Sequence, residues 1–135
     1  MRRRQAREEI LKALYRYDFV GDRNEVLNEG DFGDQAVFID SISKGTLANL
    51  EKIDQLIDQF ALGWKIDRLP VVDRNILRMS IYELLYYEDT PPEVVINEAI
   101  ELSKIYGTEK APKFINGILD RIWKEHMNEK KHGMK

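Results

Sequence analysis

The sequence predicts an all-α protein, a single helical domain of six or seven helices. Apolar residues recur at steps of three and four along nearly the whole chain, which places them on one face of a helix, and no segment alternates as a half-buried strand does. The chain has 135 residues, of which 43% are hydrophobic and 33% charged, a composition sufficient for one compact core beneath a polar surface. Glycine and proline divide it into segments with short connections, as in a helical bundle.

The first half of the sequence predicts two long helices. The first helix covers residues 3–19, with its core face at steps of three and four, and stops near Gly21. Residues 22–34 predict a short helix followed by a glycine-punctuated loop. One long helix then covers residues 35–62. Gly45 lies inside the apolar stripe of that helix, where the missing side chain allows another backbone to approach closely.

The second half predicts three helices. The segment 71–87 is apolar almost all round, which indicates a central, buried helix. Residues 90–93, T-P-P-E, predict a capping box with proline in the first turn, opening a helix that ends at Gly107. Thr108 is expected to cap the last helix, with Pro112 in its first turn.

Basic side chains are concentrated at the two ends of the chain. Residues 1–16 carry six basic side chains against two acidic ones, and residues 121–135 carry five against two. Residues 17–120 carry ten basic side chains against 20 acidic ones. An acidic body with basic ends is common among nucleic-acid-binding proteins, although charge runs at chain ends are also often simply solvated. We expect one domain over residues 1–127 and a basic, flexible tail over residues 128–135.

Composition argues against enzyme chemistry and bound metals. The chain has no cysteine, and its two histidines, His126 and His132, both lie in the basic C-terminal segment. No glycine-rich phosphate loop and no G-x-S-x-G elbow occurs. The N-terminus lacks the apolar region of a secretion signal, and no apolar run is long enough to span a membrane. We therefore expect a cytoplasmic protein that is not an enzyme, has no cofactor or metal and does not bind membranes.

The first helix carries a stripe with the chemistry of RNA recognition. Arg4, Arg7, Leu11 and Tyr15 follow one another at steps of three, four and four, so they share one side of the helix. Guanidinium groups can bind phosphates, and a phenol ring can stack on an unpaired base. The alternative is that Tyr15 packs in the core while the arginines are merely solvated.

Two further basic clusters occur later in the chain. Arg74 and Arg78 lie one turn apart on the central helix, where a buried salt bridge is the alternative to RNA contact, and the favoured one for Arg78. The other cluster opens the last helix, where free amides and the helix dipole attract anions. It consists of Lys110, Lys113, Phe114 and Asn116.

Seven sequence blocks resemble those of a known family. The matching blocks are R-Q-A-R at residues 4–7, A-L-Y at 13–15, W-K-I-D-R-L at 64–69, D-R-N-I-L-R at 73–78, I-Y-E-L at 81–84, P-E-V-V-I-N-E-A-I-E-L at 92–102 and K-F-I-N-G-I-L-D at 113–120. Their order and spacing resemble those of the NusB family of transcription antitermination proteins, from residue 2 to about residue 123. Each block alone is weak, but together they are specific.

The resemblance implies a NusB-type fold of two small perpendicular bundles. It also implies binding of boxA-like ribosomal leader RNA in single-stranded form, together with the small-subunit ribosomal protein NusE, and action on RNA polymerase in a complex with other Nus factors. By the resemblance, the RNA-binding residues would be Arg2, Arg3, Arg4, Arg7, Tyr15, Lys113, Phe114 and Asn116. The two basic clusters add Arg74 and Lys110 as candidate RNA contacts. The NusE-binding residues would be Asp73, Glu83, Asn97, Glu98 and Glu101.

Lys110 departs from the family pattern, and the sequence also allows a function of another class. Many members of the family carry an acidic residue where this chain has Lys110, so the RNA affinity is expected to be tuned differently here. A function of another class is a structural helical adaptor, or a homodimer that masks its arginine surface. Such a dimer would need a large exposed apolar patch, which the sequence pattern does not demand.

Overall fold

The computed structural model describes residues 1–21 and 32–133, and its regular structure is helical throughout these ranges. The helices are α1 (Arg3–Val20), α2 (Ala36–Ala48), α3 (Leu50–Phe60), α4 (Val71–Tyr86), α5 (Pro92–Tyr106) and α6 (Ala111–Gly133), with short 3-10 helices at Gly33–Gln35 and Ile66–Arg68. The all-α prediction is confirmed. The short helix and most of the loop predicted over residues 22–34 lie outside the described residues.

Helix α4 is the centre of the fold and packs against each of the other five helices. Four of its consecutive or near-consecutive side chains, Ile76, Leu77, Met79 and Ile81, are almost completely buried. A helix with apolar residues all round has no solvent face to present, so neighbours must cover it on every side. The prediction of a central, buried helix over residues 71–87 is confirmed.

Helix α1 buries the stripe predicted for it and ends where glycine permits. Ala6, Ile10 and Leu14 lie in the core. Gly21 has a φ of 75° and closes the helix in the left-handed conformation, and its N–H donates to the carbonyl of Tyr17 at 2.8 Å. Glycine adopts this conformation without the penalty that a Cβ would bring.

The prediction of a single long helix over residues 35–62 is wrong, because Asn49 divides this segment into α2 and α3. The side-chain amide of Asn49 donates to the carbonyl of Gly45 at 2.8 Å, and its backbone N–H is shared between the carbonyls of Gly45 and Thr46 at 3.1 and 3.2 Å. The hydroxyl of Thr46 donates to the carbonyl of Ile42 at 2.6 Å. Side-chain bonds of this kind compete with the helical ladder and bend the helix.

The close approach predicted at Gly45 is present, but the partner is a side chain instead of a backbone. A Cβ at this position would overlap the ring of Tyr82 on α4. That ring stacks on Tyr86, with centroids 5.2 Å apart. Gly45 therefore provides the space in which α2 accepts an aromatic ring of α4.

The two threonines predicted to cap helices do not do so. Helix α5 begins at Pro92 after Pro91, without a side-chain cap bond, so Thr90 is not its N-cap. The hydroxyl of Thr108 donates to the carboxylate of Asp73 at 2.7 Å, and α6 begins later, at Ala111. The tertiary structure thus places a carboxylate beside Thr108, and the hydroxyl bonds to this carboxylate instead of capping α6.

Helix α6 continues past the domain boundary expected at residue 127. It remains helical to Gly133, and its side chains from residue 127 to residue 132 are exposed. No break in the helix marks the start of the basic segment.

Candidate nucleic-acid interface

The first arginines of the chain lie at the exposed start of α1. The backbone N–H of Arg2 donates to the side-chain oxygen of Gln5 at 2.9 Å, which helps to close the first turn. The guanidinium of Arg3 lies over the ring of Phe38, 3.9 Å from its centroid. A cation over an aromatic face is attracted by the ring quadrupole. Both arginines are exposed to solvent, as an RNA contact requires.

Arg4 is exposed but bonded to α5. Its Nε and Nη2 donate to the two carboxylate oxygens of Glu98, at 3.0 and 3.2 Å. This bidentate bond and the charge of Glu98 raise the pKa of Arg4 above its ordinary value. The structure therefore joins a residue assigned to RNA with a residue assigned to the protein partner.

Arg7 is not on the exposed surface predicted for it. Its guanidinium donates to both carboxylate oxygens of Glu83 on α4, at 3.0 and 2.6 Å, and the two side chains are 7% and 2% exposed. Burial takes both residues out of their predicted roles, Arg7 as a phosphate contact and Glu83 as a partner contact. A buried charge must be compensated, and here the two compensate each other.

Tyr15 lies outside the core and lines a groove. Its side chain is 43% exposed, and its ring lies 5.0 Å from that of Phe19 on the next turn. The two rings form one wall of an apolar groove whose other walls come from Val72 on α4 and Tyr106 on α5. The core alternative for Tyr15 is therefore excluded, and its ring is accessible.

The groove has a charged rim. The hydroxyl of Tyr106 donates to the carboxylate of Glu8, which raises the pKa of Tyr106 above its ordinary value. Lys12 and Arg16 also border the groove. Phe19 and Tyr106 were not predicted as surface residues. The i, i+4 spacing of Tyr15 and Phe19 at the end of a helix is the signal that could have indicated an aromatic pair.

A largely buried ion-pair cluster joins α1, α3 and α4. Arg78 pairs with Asp54 at 2.9 Å and with Asp18 at 3.1 Å, and Arg74 pairs with Asp18 at 3.2 Å. Burial raises the pKa of Asp18, but the hydrogen bond from Asn75 and the charge of Arg78 outweigh it and lower that pKa below its ordinary value. The buried salt bridge predicted for Arg78 is confirmed, and Arg74 belongs to the same cluster instead of the exposed surface.

Asp73, assigned to the protein partner, is also buried. Its Oδ1 accepts the backbone N–H of Thr108 at 3.1 Å and its Oδ2 accepts the Thr108 hydroxyl. A Cβ at the preceding Gly107 would lie 2.8 Å from Asp73 Oδ1. Asp73 therefore holds the connection between α5 and α6 and is not available to a partner.

The remaining predicted RNA contacts lie at the start of α6 and at the residue just before it. Lys110, Lys113 and Asn116 are exposed, whereas Phe114 is partly buried against the core. Tyr106, which bonds to Glu8 of α1, lies four residues before Lys110. Through α5, the structure thus connects the basic turn of α6 to the aromatic and basic residues of α1.

Three residues of the predicted partner surface lie on α5. Asn97 is exposed, Glu98 is largely covered by Arg4, and Glu101 is partly exposed, with Lys104 at 3.2 Å from its carboxylate. Since Asp73 and Glu83 are buried, the accessible acidic surface of the predicted partner site is confined to α5.

None of the described helices is long and apolar enough to cross a membrane. In residues 1–21 and 32–133, no group of three or more histidines and carboxylates is placed to hold a metal ion.

Comparison with known proteins identifies the family. Residues 4–124 match the NusB family. The transcription antitermination protein NusB of Bacillus pumilus is 42% identical over 124 residues, which cover 90% of this chain and 95% of that protein. The fold is similar to that of T. maritima NusB, with a TM-score of 0.88, 43% identity and 99% of each chain covered.

A second structural relative is a crystal structure of the antitermination factors NusB and NusE in complex with dsRNA. Its TM-score is 0.79 and its identity 32%, over 91% of this chain and 96% of that one. Because the sequence match runs from residue 4 to residue 124 and the fold agrees over nearly all of the chain, the chain belongs to the NusB family of transcription antitermination proteins.

Proposed function

We propose that this chain is a cytoplasmic RNA-binding factor that binds single-stranded boxA-like RNA together with the ribosomal protein NusE and acts on RNA polymerase with other Nus factors. The observation that carries the proposal is the accessible ring of Tyr15 on α1, the helix that begins with the exposed Arg2 as its N-cap and the exposed Arg3 as its first residue. Cations bind the phosphates and an exposed ring accepts a base, the combination that single-stranded nucleic acids require. A relative with this fold forms a complex with NusE and RNA.

The exposed residues divide between the two ligands. Arg2, Arg3 and Arg4 at the start of α1 and Lys110 and Lys113 around the start of α6 supply the phosphate contacts. Tyr15 supplies a stacking platform at the groove. The exposed side of α5 around Asn97 and Glu101 supplies the acidic surface for a basic ribosomal protein. Arg7, Arg74, Asp73 and Glu83 support these surfaces from inside.

Single-stranded RNA is expected to bind better than its duplex. An A-form duplex hides its base edges in a deep groove, whereas a single strand can place a base on Tyr15. The related NusB–NusE complex holds dsRNA, so a boxA-like strand and its duplex should be compared directly under the same conditions. Equal affinity for the two would contradict the stacking role. If three or four phosphates are neutralised, the log-log salt slope for the single strand should be roughly −2 to −3.

Point variants test each contact separately. Tyr15→Ala should weaken RNA binding by about 1–3 kcal/mol through lost stacking, while Tyr15→Phe, which keeps the ring, should bind like the wild type. Lys113→Gln should weaken all sequences similarly, because a phosphate contact carries no sequence information. The matched control is Lys124→Gln in the C-terminal half of α6, where Lys124 pairs with Asp120. Wild-type affinity in both Tyr15→Ala and Lys113→Gln would refute the proposed surface.

One observation favours the alternative hypothesis of a homodimer, namely the exposed aromatic groove at Tyr15 and Phe19. A second copy covering Tyr15 and Phe19 would compete with RNA, so RNA affinity would fall as protein concentration rises. Sedimentation of the free chain and of its RNA complex distinguishes the two readings. If the chain sediments as a monomer and binds RNA at all protein concentrations, the homodimer alternative is excluded.

We also propose that the chain has no catalytic activity and no structural metal. The proposal rests on the absence of cysteine and on the position of both histidines near the C-terminus, since structural zinc is held mostly by these two residue types. Stoichiometric zinc or iron in natively purified protein would overturn it.

A further inference from the structure

Glu98 forms an ion pair with Arg4, one of the arginines of the proposed RNA-binding surface. Arg4 is 51% exposed and Glu98 is 18% exposed, and the carboxylate bonds to two nitrogens of the guanidinium. The carboxylates of Glu101 and Glu8 add to the negative potential around the same cation. Arg4 is thus accessible to solvent while its charge is already compensated.

Glu98 occupies the Nε–Nη2 edge of Arg4, and a phosphate that binds this edge would use the same donors. Guanidinium binds carboxylate and phosphate in the same bidentate geometry, through two parallel N–H donors. The two acceptors therefore cannot occupy one edge of the guanidinium at once. We propose that Glu98 competes with RNA for Arg4 in the free protein, because a phosphate must either displace the carboxylate from the Nε–Nη2 edge or bind the outer edge of a guanidinium whose charge is already compensated. This inference rests on the proposed RNA-binding function.

The other arginines of α1 show why the competition is specific to Arg4. The buried pair of Arg7 with Glu83 is closed to solvent and cannot exchange with a ligand. Arg2 and Arg3 form no ion pair within residues 1–21 and 32–133 and have no competitor there to displace. The Arg4–Glu98 pair is bidentate yet open to water on the arginine side. Such exposed pairs add little to stability, so they can exchange with a ligand.

The test is a gain of function. Glu98→Gln keeps the shape of the side chain but removes its charge, so Arg4 is released. The affinity for a boxA-like single strand should rise roughly two- to five-fold, the range in which exposed ion pairs act. The salt slope should become steeper by about 0.7, as expected for one additional phosphate contact on a single strand.

A matched variant and a double variant separate competition from a general charge effect. Glu101→Gln removes the same charge from the same helix, but Glu101 bonds to Lys104 instead of Arg4, so its gain should be clearly smaller. In an Arg4→Gln background, Glu98→Gln should give no more than the small gain expected for Glu101→Gln, because the cation that it releases is absent. Thermal melting of every variant confirms that the proteins compared are folded.

The outcomes distinguish this inference from the proposed function. If the wild type binds RNA but Glu98→Gln leaves the affinity unchanged or lowers it, the competition is overturned and the proposed function stands. An equal gain in the Arg4→Gln background also overturns the competition. If neither the wild type nor Glu98→Gln binds RNA, both proposals fail.

Discussion

Arg7 of α1 and Glu83 of α4 form a buried, bidentate ion pair across the centre of the fold. The nitrogens of the guanidinium lie 2.6 and 3.0 Å from the two carboxylate oxygens, and the two residues are 76 positions apart in the chain. The guanidinium also lies 5.4 Å from the centroid of the Phe38 ring on α2. One side chain of the first helix thus connects that helix to α2 and α4.

Removing Arg7 should destabilise the fold more than it affects RNA contacts. Arg7→Ala leaves the carboxylate of Glu83 buried without a partner, a change that typically costs about 3–5 kcal/mol. Urea unfolding measures the loss. The exposed variant Arg2→Ala is the control and should unfold like the wild type. A double variant, Arg7→Met with Glu83→Leu, should recover most of the stability because no buried charge remains. An Arg7→Ala protein as stable as the wild type would show that the pair contributes nothing.

Stability should fall in acid through Asp18. The pKa of Asp18 is lower in the folded protein than the ordinary value of about 3.9 for the unfolded chain. Its stabilising contribution is therefore complete above pH ~4 and is lost as the pH falls through the lower folded-state pKa. Asp18→Asn should cost about 3 kcal/mol near neutral pH, and the difference from the wild type should shrink below pH ~4.

The measurement for Asp18 is the free energy of unfolding in urea between pH 3 and pH 7. Asp40→Asn is the control, because Asp40 pairs with Lys44 on the surface of α2 and should show little effect. A difference between wild type and Asp18→Asn that stays constant down to pH 3 would contradict the linkage.

The glycine at position 45 should not tolerate a methyl group. Gly45→Ala would force the ring of Tyr82 out of its place and disturb its stacking on Tyr86. Overpacking costs about 1–3 kcal/mol, which exceeds the gain of up to about 1 kcal/mol in helix propensity. Thermal unfolding should therefore show a net loss. Gly117→Ala on α6 is the matched control, since only the flexible end of Arg121 lies near its added methyl, and it should be neutral or slightly stabilising.

The protein partner should be sensitive to the charge of α5. Glu101→Lys reverses a partly exposed charge next to Lys104 and should weaken binding of the basic protein NusE by repulsion, as added salt should also do. Glu51→Lys, on the exposed side of α3, is the control and should leave the affinity unchanged. Titration calorimetry at two salt concentrations measures both effects. An affinity that responds neither to Glu101→Lys nor to salt would place the interface elsewhere.

Periodicity and turn residues were sufficient for most helix positions. The helix predicted over residues 3–19 was found at Arg3–Val20, and the one predicted over residues 71–87 at Val71–Tyr86. These boundaries depend on local features, namely the period of the apolar residues and a glycine such as Gly21 that can adopt a positive φ. The helix break at Asn49 was missed because apolar residues continue in register on both sides of it. The family was also predicted correctly, since its sequence blocks span most of the chain.

The period of the apolar residues is enough to predict which side of each helix faces inward, whereas contacts between helices set how deeply the residues at the edges of that side are buried. Arg7 is next to Ala6 in sequence and flanks the apolar stripe, a position that is compatible with solvent or with burial. It became buried because α4 covers that flank and brings a carboxylate to it. Asp73 is buried for the same reason, because its carboxylate accepts a hydrogen bond from Thr108, which lies 35 residues further along the chain. Tyr15, on the same helix as Arg7, remained accessible because a groove is left open beside it. A charged side chain at the edge of a helical face is buried only when another element supplies its counter-charge or hydrogen bonds, and that element cannot be identified from spacing within the helix.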